Sequence, residues 1–406
     1  MPFWSRGVFC VAIVVLAVHQ AAGQELTEKE LIERFLAHSP QQRELQAGLA
    51  ALREELRGRT FYPNPTAIYT REGAGFAEFF EFEQPLILTD RRRHLRDAGT
   101  AAVRASEYSI GQNMWELRSD LRVVYYRLLE AQEKQRIMRS AIGEFEKVVL
   151  ILRQREAAGE GSRFDLIRAE RELFESRADL SAVQAALVSL QNRLAAASLD
   201  PRLSQVRAIG DMTRLVSSPS VEDLIRRALA HRQDYLATKA EIERFAKEEL
   251  AARRLRIPDP VVRVGFKRGE GFPATRNGSV VAVTVPIPFF DRGQAKVAIA
   301  EAEQKRAQAR LDFLERQIQA QVTAAHAAYT LRATMVEQYR RETEKSGMEI
   351  VGIAKIAYEE GEKTILELLD VYRVLRQAEL RALELLAATK DAQIEIDRVV
   401  GEEVFP

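Results

Sequence analysis

From about residue 90 to residue 158 the chain carries an unbroken helical pattern with no proline in it. A helix of about 65 residues, rising about 1.5 Å per residue, is on the order of 100 Å long. No ordinary globular domain encloses such an element, so the fold has to be extended. The apolar positions step by three and four through Met114, Leu117, Leu121, Val124, Leu128, Ala131, Gln135, Met138, Ile142, Phe145, Val149 and Leu152, and only Gln135 departs from the seam. The pattern stops at Gly159-Glu160-Gly161-Ser162 and resumes through Leu166, Ala169, Leu173, Ser176, Leu180, Val183, Leu187, Leu190 and Leu194. A sustained heptad seam predicts coiled-coil packing between neighbouring helices. So short a break predicts an antiparallel hairpin with its tip at 159–162. Helices alone would fit a rod-like structural protein equally well.

The chain then says nearly the same thing twice. Leu31-Ile32-Glu33-Arg34-Phe35-Leu36-Ala37-His38 returns as Leu224-Ile225-Arg226-Arg227-Ala228-Leu229-Ala230-His231, with six of the eight positions identical. A hydroxyl residue stands four positions ahead of each, Thr27 and Ser220, with an acid three positions on, Glu30 and Asp223, as a helix start requires. Each copy reads as a helix running to a Pro-x-Pro stop, Pro63-Asn64-Pro65 and Pro258-Asp259-Pro260, followed by two short strand-like runs. A matching punctuation closes each pair: Pro85-Leu86-Ile87-Leu88-Thr89-Asp90-Arg91 and Pro286-Ile287-Pro288-Phe289-Phe290-Asp291-Arg292. A long helix, a glycine tip and a second helix complete each copy, the second tip being Gly361-Glu362-Lys363-Thr364. The expected organisation is a first repeat over 24–199 with a β-hairpin at 61–88, a connecting segment over 200–218, and a second repeat over 219–406 with a β-hairpin at 259–287.

The strand runs argue against a simple rod. In the first copy Phe80 and Phe82 alternate with Glu81 and Glu83; in the second, Val281, Val283 and Val285 alternate with Ala282 and Thr284. Val262, Val264 and Phe266 alternate with Arg263, Gly265 and Lys267, whereas 66–71 is less regular, with Ile68 on the polar face and Arg71 on the apolar one. Strands that are apolar outside and polar inside are the pattern of an outer-membrane barrel. Four strands are too few to close one, and open edges cannot sit in lipid. If these strands span a membrane, several chains must pool them. Two solvent-exposed hairpins capping a helical bundle are the other reading.

Residues 1–23 read as a signal peptide: Arg6, an apolar run over 8–18, then Ala21-Ala22-Gly23 before a cut at Gln24. That run is too short to span a bilayer as a helix, which takes about 20 residues. The only cysteine, Cys10, lies inside it, so neither a disulfide nor an acyl anchor is expected in the mature chain. Lys and Arg total 60 against 59 Asp and Glu, so no bulk charge points to nucleic acid. The histidines His19, His38, His94, His231 and His326 show no metal-ligand spacing. Gly269-Glu270-Gly271 is a turn without the Lys-Ser/Thr of a phosphate loop. No nucleophile–base set and no cofactor motif appears, so an enzyme is not expected.

The order helix, strand pair, long helix, tip, helix, stated twice, together with 85–91, 286–292 and the tips 159–167 and 361–369, resembles the TolC family of outer-membrane efflux proteins over the whole mature chain. The resemblance implies a mainly α fold with a small β part. Long coiled-coil hairpins form an α-barrel tunnel through the periplasm, and two β-hairpins give four strands to a trimeric 12-stranded barrel. It further implies a homotrimer embedded in outer-membrane lipid, docked to a periplasmic adaptor and an inner-membrane efflux pump of the RND type. Such a chain is a passive exit duct with no cofactor. The short hairpin loops and modest length look most like the branch serving heavy-metal cation pumps; a duct for drugs or secreted proteins and a periplasmic tether are the alternatives.

Family membership would make the tips the gate and the adaptor-docking end: Gly159, Gly161, Ser162, Asp165, Gly361, Thr364, Glu367 and Asp370. Under threefold symmetry Asp165, Glu367 and Asp370 would each form a ring of carboxylates, which attracts cations. Ser162-x-x-Asp165 and Thr364-x-x-Glu367 also match a capping box, which needs no such role. Glu81, Glu83, Arg263 and Lys267 would line the barrel lumen.

Overall fold

The computed structural model describes residues 25–73, 77–198, 201–270 and 274–405, so the signal peptide expected over 1–23 lies outside the described residues. The first repeat runs α1 (Glu28–His38), α2 (Pro40–Gly58), β2 (Thr66–Glu72), β3 (Ala77–Pro85), α3 (Arg91–Ala157) and α4 (Arg163–Ser198). The second runs α5 (Val221–His231), α6 (Gln233–Arg253), β5 (Val261–Gly269), β6 (Arg276–Thr284), α7 (Gln294–Glu359) and α8 (Ile365–Val400). Two further strands, β1 (Glu25–Leu26) and β4 (Arg207–Ala208), pair in parallel and pin the start of the described chain to the segment between the repeats.

Both repeats begin as their hydroxyls predict. Thr27 forms a complete capping box with Glu30, and the Ser220 hydroxyl accepts the Asp223 amide at 3.3 Å. The single helix expected from each of these starts to its Pro-x-Pro stop is instead two helices. Ser39, preceding Pro40, is extended (φ −60°, ψ 121°), because a residue before proline disfavours the α conformation. Its hydroxyl then caps α2, with Pro40 in the first turn, where the missing N–H does no harm. In the second repeat the break falls at Arg232 (φ −66°, ψ 117°) with no proline nearby. A local bond from the Arg232 guanidinium to Asp234 at 2.9 Å and two tertiary contacts hold it: the guanidinium bonds Gln321 at 2.5 Å, and Gly401 packs on its backbone.

With 67 residues, α3 spans on the order of 100 Å. Its seam is the predicted one: Leu121, Leu128, Ala131, Met138, Ile142, Phe145, Val149 and Leu152 are buried, and Gln135 is half-buried. Towards the sheet the helices lie in the order α2-α3-α6-α7; towards the tips the order is α4-α3-α8-α7. The four-stranded sheet repeats the first order, β2-β3-β5-β6, all antiparallel, with β3 pairing β5 across the repeats. Each of these helices is therefore continuous in the chain with the strand at the same lateral position, α2 and α6 running into β2 and β5, and β3 and β6 running into α3 and α7. The core is layered along the length, with Tyr125, Leu128 and Leu194 in the middle of the first repeat and Ile318, Val322 and Ile396 in the second. Phe145, Leu152, Leu166, Ile365 and Leu368 form a third layer near the tips. Among the described residues no helix is long and apolar enough to cross a membrane.

Candidate functional site

The candidate residues fall at the two ends of the fold. At the sheet end the register brings Phe80 opposite Tyr69 and Phe266, Phe82 opposite Val264, and Val264 opposite Val281. Opposite residues share a face, so this face is apolar, and it is exposed: Phe82 at 60% and Val281 at 75%. Phe80 stacks on Phe266 with centroids 5.1 Å apart. The other face carries Glu81, Glu83, Arg263 and Lys267. Arg263 clamps Glu83 at 2.9 Å and stands 3.9 Å from Glu81, while the Lys267 ammonium lies 5.0 Å from the centre of the Phe79 ring. Glu81 lies over Gly265, where a methyl would sit 2.3 Å from the Phe80 carbonyl oxygen, and it is only 8% exposed. Of the four polar residues on this face, Glu81 is thus the one that does not reach solvent in the single chain. Ile68 and Arg71 fall on the faces their spacing predicts, across from Glu81 and Glu78.

At the far end both long helices finish in the same way. Gly159 and Gly361 have φ of 76° and 78°, which a side chain resists. The Gly159 amide bonds the Glu156 carbonyl at 3.0 Å and the Glu160 amide bonds the Arg155 carbonyl at 2.9 Å, a Schellman turn. Gly361 to Tyr358 (3.2 Å) and Glu362 to Ala357 (2.8 Å) repeat it. Gly161 is small for another reason: a methyl there would lie 2.8 Å from the Glu156 backbone nitrogen.

The three tip carboxylates differ in occupation. Glu367 closes the capping box, accepting the Thr364 amide at 2.9 Å, and also takes the Lys363 ammonium at 2.8 Å. The Lys363 bond first, then the Thr364 amide and hydroxyl, hold its carboxyl at about 2, well below the usual range. Asp370 pairs with Arg373 one turn on. Asp165 makes no side-chain hydrogen bond or ion pair with a described residue, and Ser162 is exposed beside it.

The outer membrane efflux protein family matches residues 79–198 and 224–402, one stretch in each repeat and most of the chain. The chain belongs to the outer membrane efflux protein family. It is accordingly an outer-membrane protein whose helical part extends into the periplasm. The cobalt-zinc-cadmium resistance protein CzcC of Cupriavidus metallidurans is 28% identical over 316 residues, 77% of this chain and 72% of that one. The fold is shared with solved channels. The outer-membrane channel OprN superposes with a TM-score of 0.74 at 20% identity, covering 93% of this chain and 91% of that one. CusC gives 0.73 at 17%, covering 92% of each, and the Neisseria gonorrhoeae MtrE channel in its open state gives 0.73 at 16%, covering 93% and 89%.

Within this family fold, two contacts near the tips escape sequence reasoning. Arg155, at the end of α3, donates to the Tyr358 hydroxyl at 3.2 Å near the end of α7, joining the two tips of one chain. Arg376 of α8 donates to the buried Ser176 hydroxyl of α4 at 2.7 Å and lies over the Phe145 ring. The residues in these pairs are about 200 positions apart, and no local pattern marks them. Among the described residues no group of three or more His, Cys, Asp or Glu could hold a metal ion.

Proposed function

We propose that three copies of this chain form a continuous passive duct, which acts by conduction and not by catalysis. The observation that carries this reading is the shared lateral order of sheet and helices, which leaves the outer edges of β2 and β6 unpaired among the described residues. Each unpaired backbone group at such an edge would cost several kcal/mol in lipid. Pooling three sheets into one barrel of twelve strands satisfies them. The outer helices support the same closure: Phe164, Ile167 and Phe174 of α4 and Ile350, Ile353 and Ile356 of α7 are exposed apolar residues on the two lateral edges.

The tips close the inner end, where a periplasmic adaptor and an inner-membrane pump of the RND type deliver cargo. The name of the CzcC relative supports heavy-metal cations as that cargo. Of Asp165, Glu367 and Asp370, Asp165 is the one whose oxygens are not already engaged, so its threefold ring is the candidate for cation attraction. Glu367 serves chiefly as a cap.

Deleting the gene should lower tolerance to cobalt, zinc or cadmium, with restoration by the intact gene. Unchanged metal tolerance together with new drug sensitivity would replace the cargo. A chain recovered only from soluble periplasm, without detergent, would overturn the duct.

A further inference from the structure

Where helices meet the sheet, four connecting stretches come together at one level: the end of α2 into β2, β3 into α3, α6 into β5, and β6 into α7. Their residues, 57–62, 86–93, 254–260 and 286–292, include eight arginines and three aspartates, with no lysine or glutamate. Two of the three acids are engaged within the chain, while a buried Asp259 oxygen has no partner among the described residues. Asp90 holds Arg254 at 2.7 Å and His94 at 3.1 Å, and Asp291 accepts the Gly293 amide at 2.8 Å. Arg93, Arg256 and Arg292 are exposed and form no ion pair with a described residue. Helix stability does not account for Arg93: α3 opens on Arg91-Arg92-Arg93 with no acid in its first turn, where positive charge is unfavourable.

The same level bears a band of exposed apolar side chains. Phe290 is 88% exposed and Ile287 83%, with Leu88, Phe289, Phe61 and Tyr62 beside them. Arginines cover two of these rings: Arg92 lies 5.0 Å over Tyr62 and Arg57 5.8 Å over Phe61. Aromatic and aliphatic groups edged by long cationic side chains suit the boundary between acyl chains and headgroups. A guanidinium binds phosphate with two parallel hydrogen bonds.

We infer that this collar binds anionic phospholipid headgroups, of the phosphatidylglycerol kind, in the membrane leaflet facing the helices. The inference rests on the duct reading, in which the sheet is embedded in the bilayer. The collar selects lipid by charge: Arg93, Arg256 and Arg292 meet phosphates while Phe290, Ile287 and Leu88 enter the acyl region. An obvious competitor is contact between subunits, and the test separates the two.

The full-length protein is reconstituted into phosphatidylcholine vesicles containing roughly a fifth phosphatidylglycerol and recovered in mild detergent, and the lipid retained is counted by mass spectrometry. The expected result is phosphatidylglycerol enriched about threefold or more over the bulk. The combined variant Arg93→Gln, Arg256→Gln and Arg292→Gln should fall to bulk composition while still floating with vesicles and keeping its subunit number. Equal enrichment in both proteins, or none in the wild type, overturns the collar. So does a variant that loses its assembled state with retained lipid per chain unchanged, which makes these arginines subunit contacts. Failure of the wild type to float with any vesicle overturns the membrane reading itself, and the collar with it.

Discussion

Gly159 and Gly361 are glycine for their backbone angle, whereas Gly161 and Gly265 are glycine for the space a methyl would take. Gly265 is the tighter case, because the added carbon would lie 2.3 Å from the Phe80 carbonyl, and backbone cannot swing aside as a side-chain end can. Gly265→Ala should destabilise the sheet by about 1–3 kcal/mol, whereas Gly278→Ala, which meets nothing within 4 Å, should stay within about 0.5 kcal/mol. Thermal unfolding followed by circular dichroism, on the two variants side by side, measures the difference. The tip carboxylates separate in the same way. Glu367 has a folded pKa of about 2, depressed from an ordinary 4.5. A depressed carboxylate contributes stabilisation that is present above the ordinary value and is lost as pH falls from about 4.5 towards 2. Hydrogen exchange at the 363–367 amides should therefore accelerate over that window beyond the intrinsic rate, and Glu367→Gln should abolish the extra dependence. In planar bilayers Asp165→Asn should lower cation preference, and Asp370→Asn, whose carboxylate is already paired with Arg373, should change it little. Equal shifts in the two variants would count against Asp165 as the open ring.

Between elements, the middle of the molecule is held by a buried charged cluster. Arg122 of α3 bonds Asp397 of α8 at 2.7 Å and pairs with Glu28 of α1. Asp397, fully buried, also accepts the amides of Val404 at 2.8 Å and Phe405 at 3.3 Å. Burial pushes its carboxyl up, against the pull of Arg122 and the two amides. Removing Asp397 leaves the buried Arg122 with Glu28 alone and takes the acceptor from the Val404 and Phe405 amides, so Asp397→Ala should cost about 3–5 kcal/mol in denaturant unfolding. Arg122→Met together with Asp397→Leu should recover much of that loss. No single sequence brings these residues together, because 275 positions separate Arg122 from Asp397. What sequence does carry is local: the heptad through Leu121, Leu128 and Phe145, the glycine stops, the Thr27 and Thr364 boxes, and the alternation of Phe80 and Phe82 with Glu81 and Glu83. Ser39-Pro40 also held a local signal for the break between α1 and α2, a capping hydroxyl before a first-turn proline. The expectation of one continuous helix passed over it. The break at Arg232 had no such proline or capping hydroxyl, and its bond to Gln321, 89 positions away, exists only in the fold. The capping-box spacing was equally visible at both tips, yet of those two only Thr364–Glu367 forms the full reciprocal pair, while Asp165 makes no side-chain bond to a described residue. Spacing alone does not tell those two states apart.

At the scale of the whole molecule, the four-stranded sheet with two bare edges is the feature from which assembly follows. Cysteines placed on the two edges, Ala67→Cys on β2 and Val281→Cys on β6, should be joined by a short thiol cross-linker into dimers and trimers, with no larger species. Cross-linking that stops at dimers, or runs beyond trimers, would refute the threefold barrel. The only native cysteine, Cys10, lies in the expected signal segment, so it should not confuse the result. The bare edges also have a consequence in genetics. In the proposed threefold duct no copy completes the wall alone, so a damaged allele whose product still pairs through one edge would enter complexes with intact copies. With the two alleles equally expressed, only about one complex in eight would be wholly intact. Edge-strand lesions of that kind should therefore behave as dominant, whereas lesions that keep the chain from folding should be recessive.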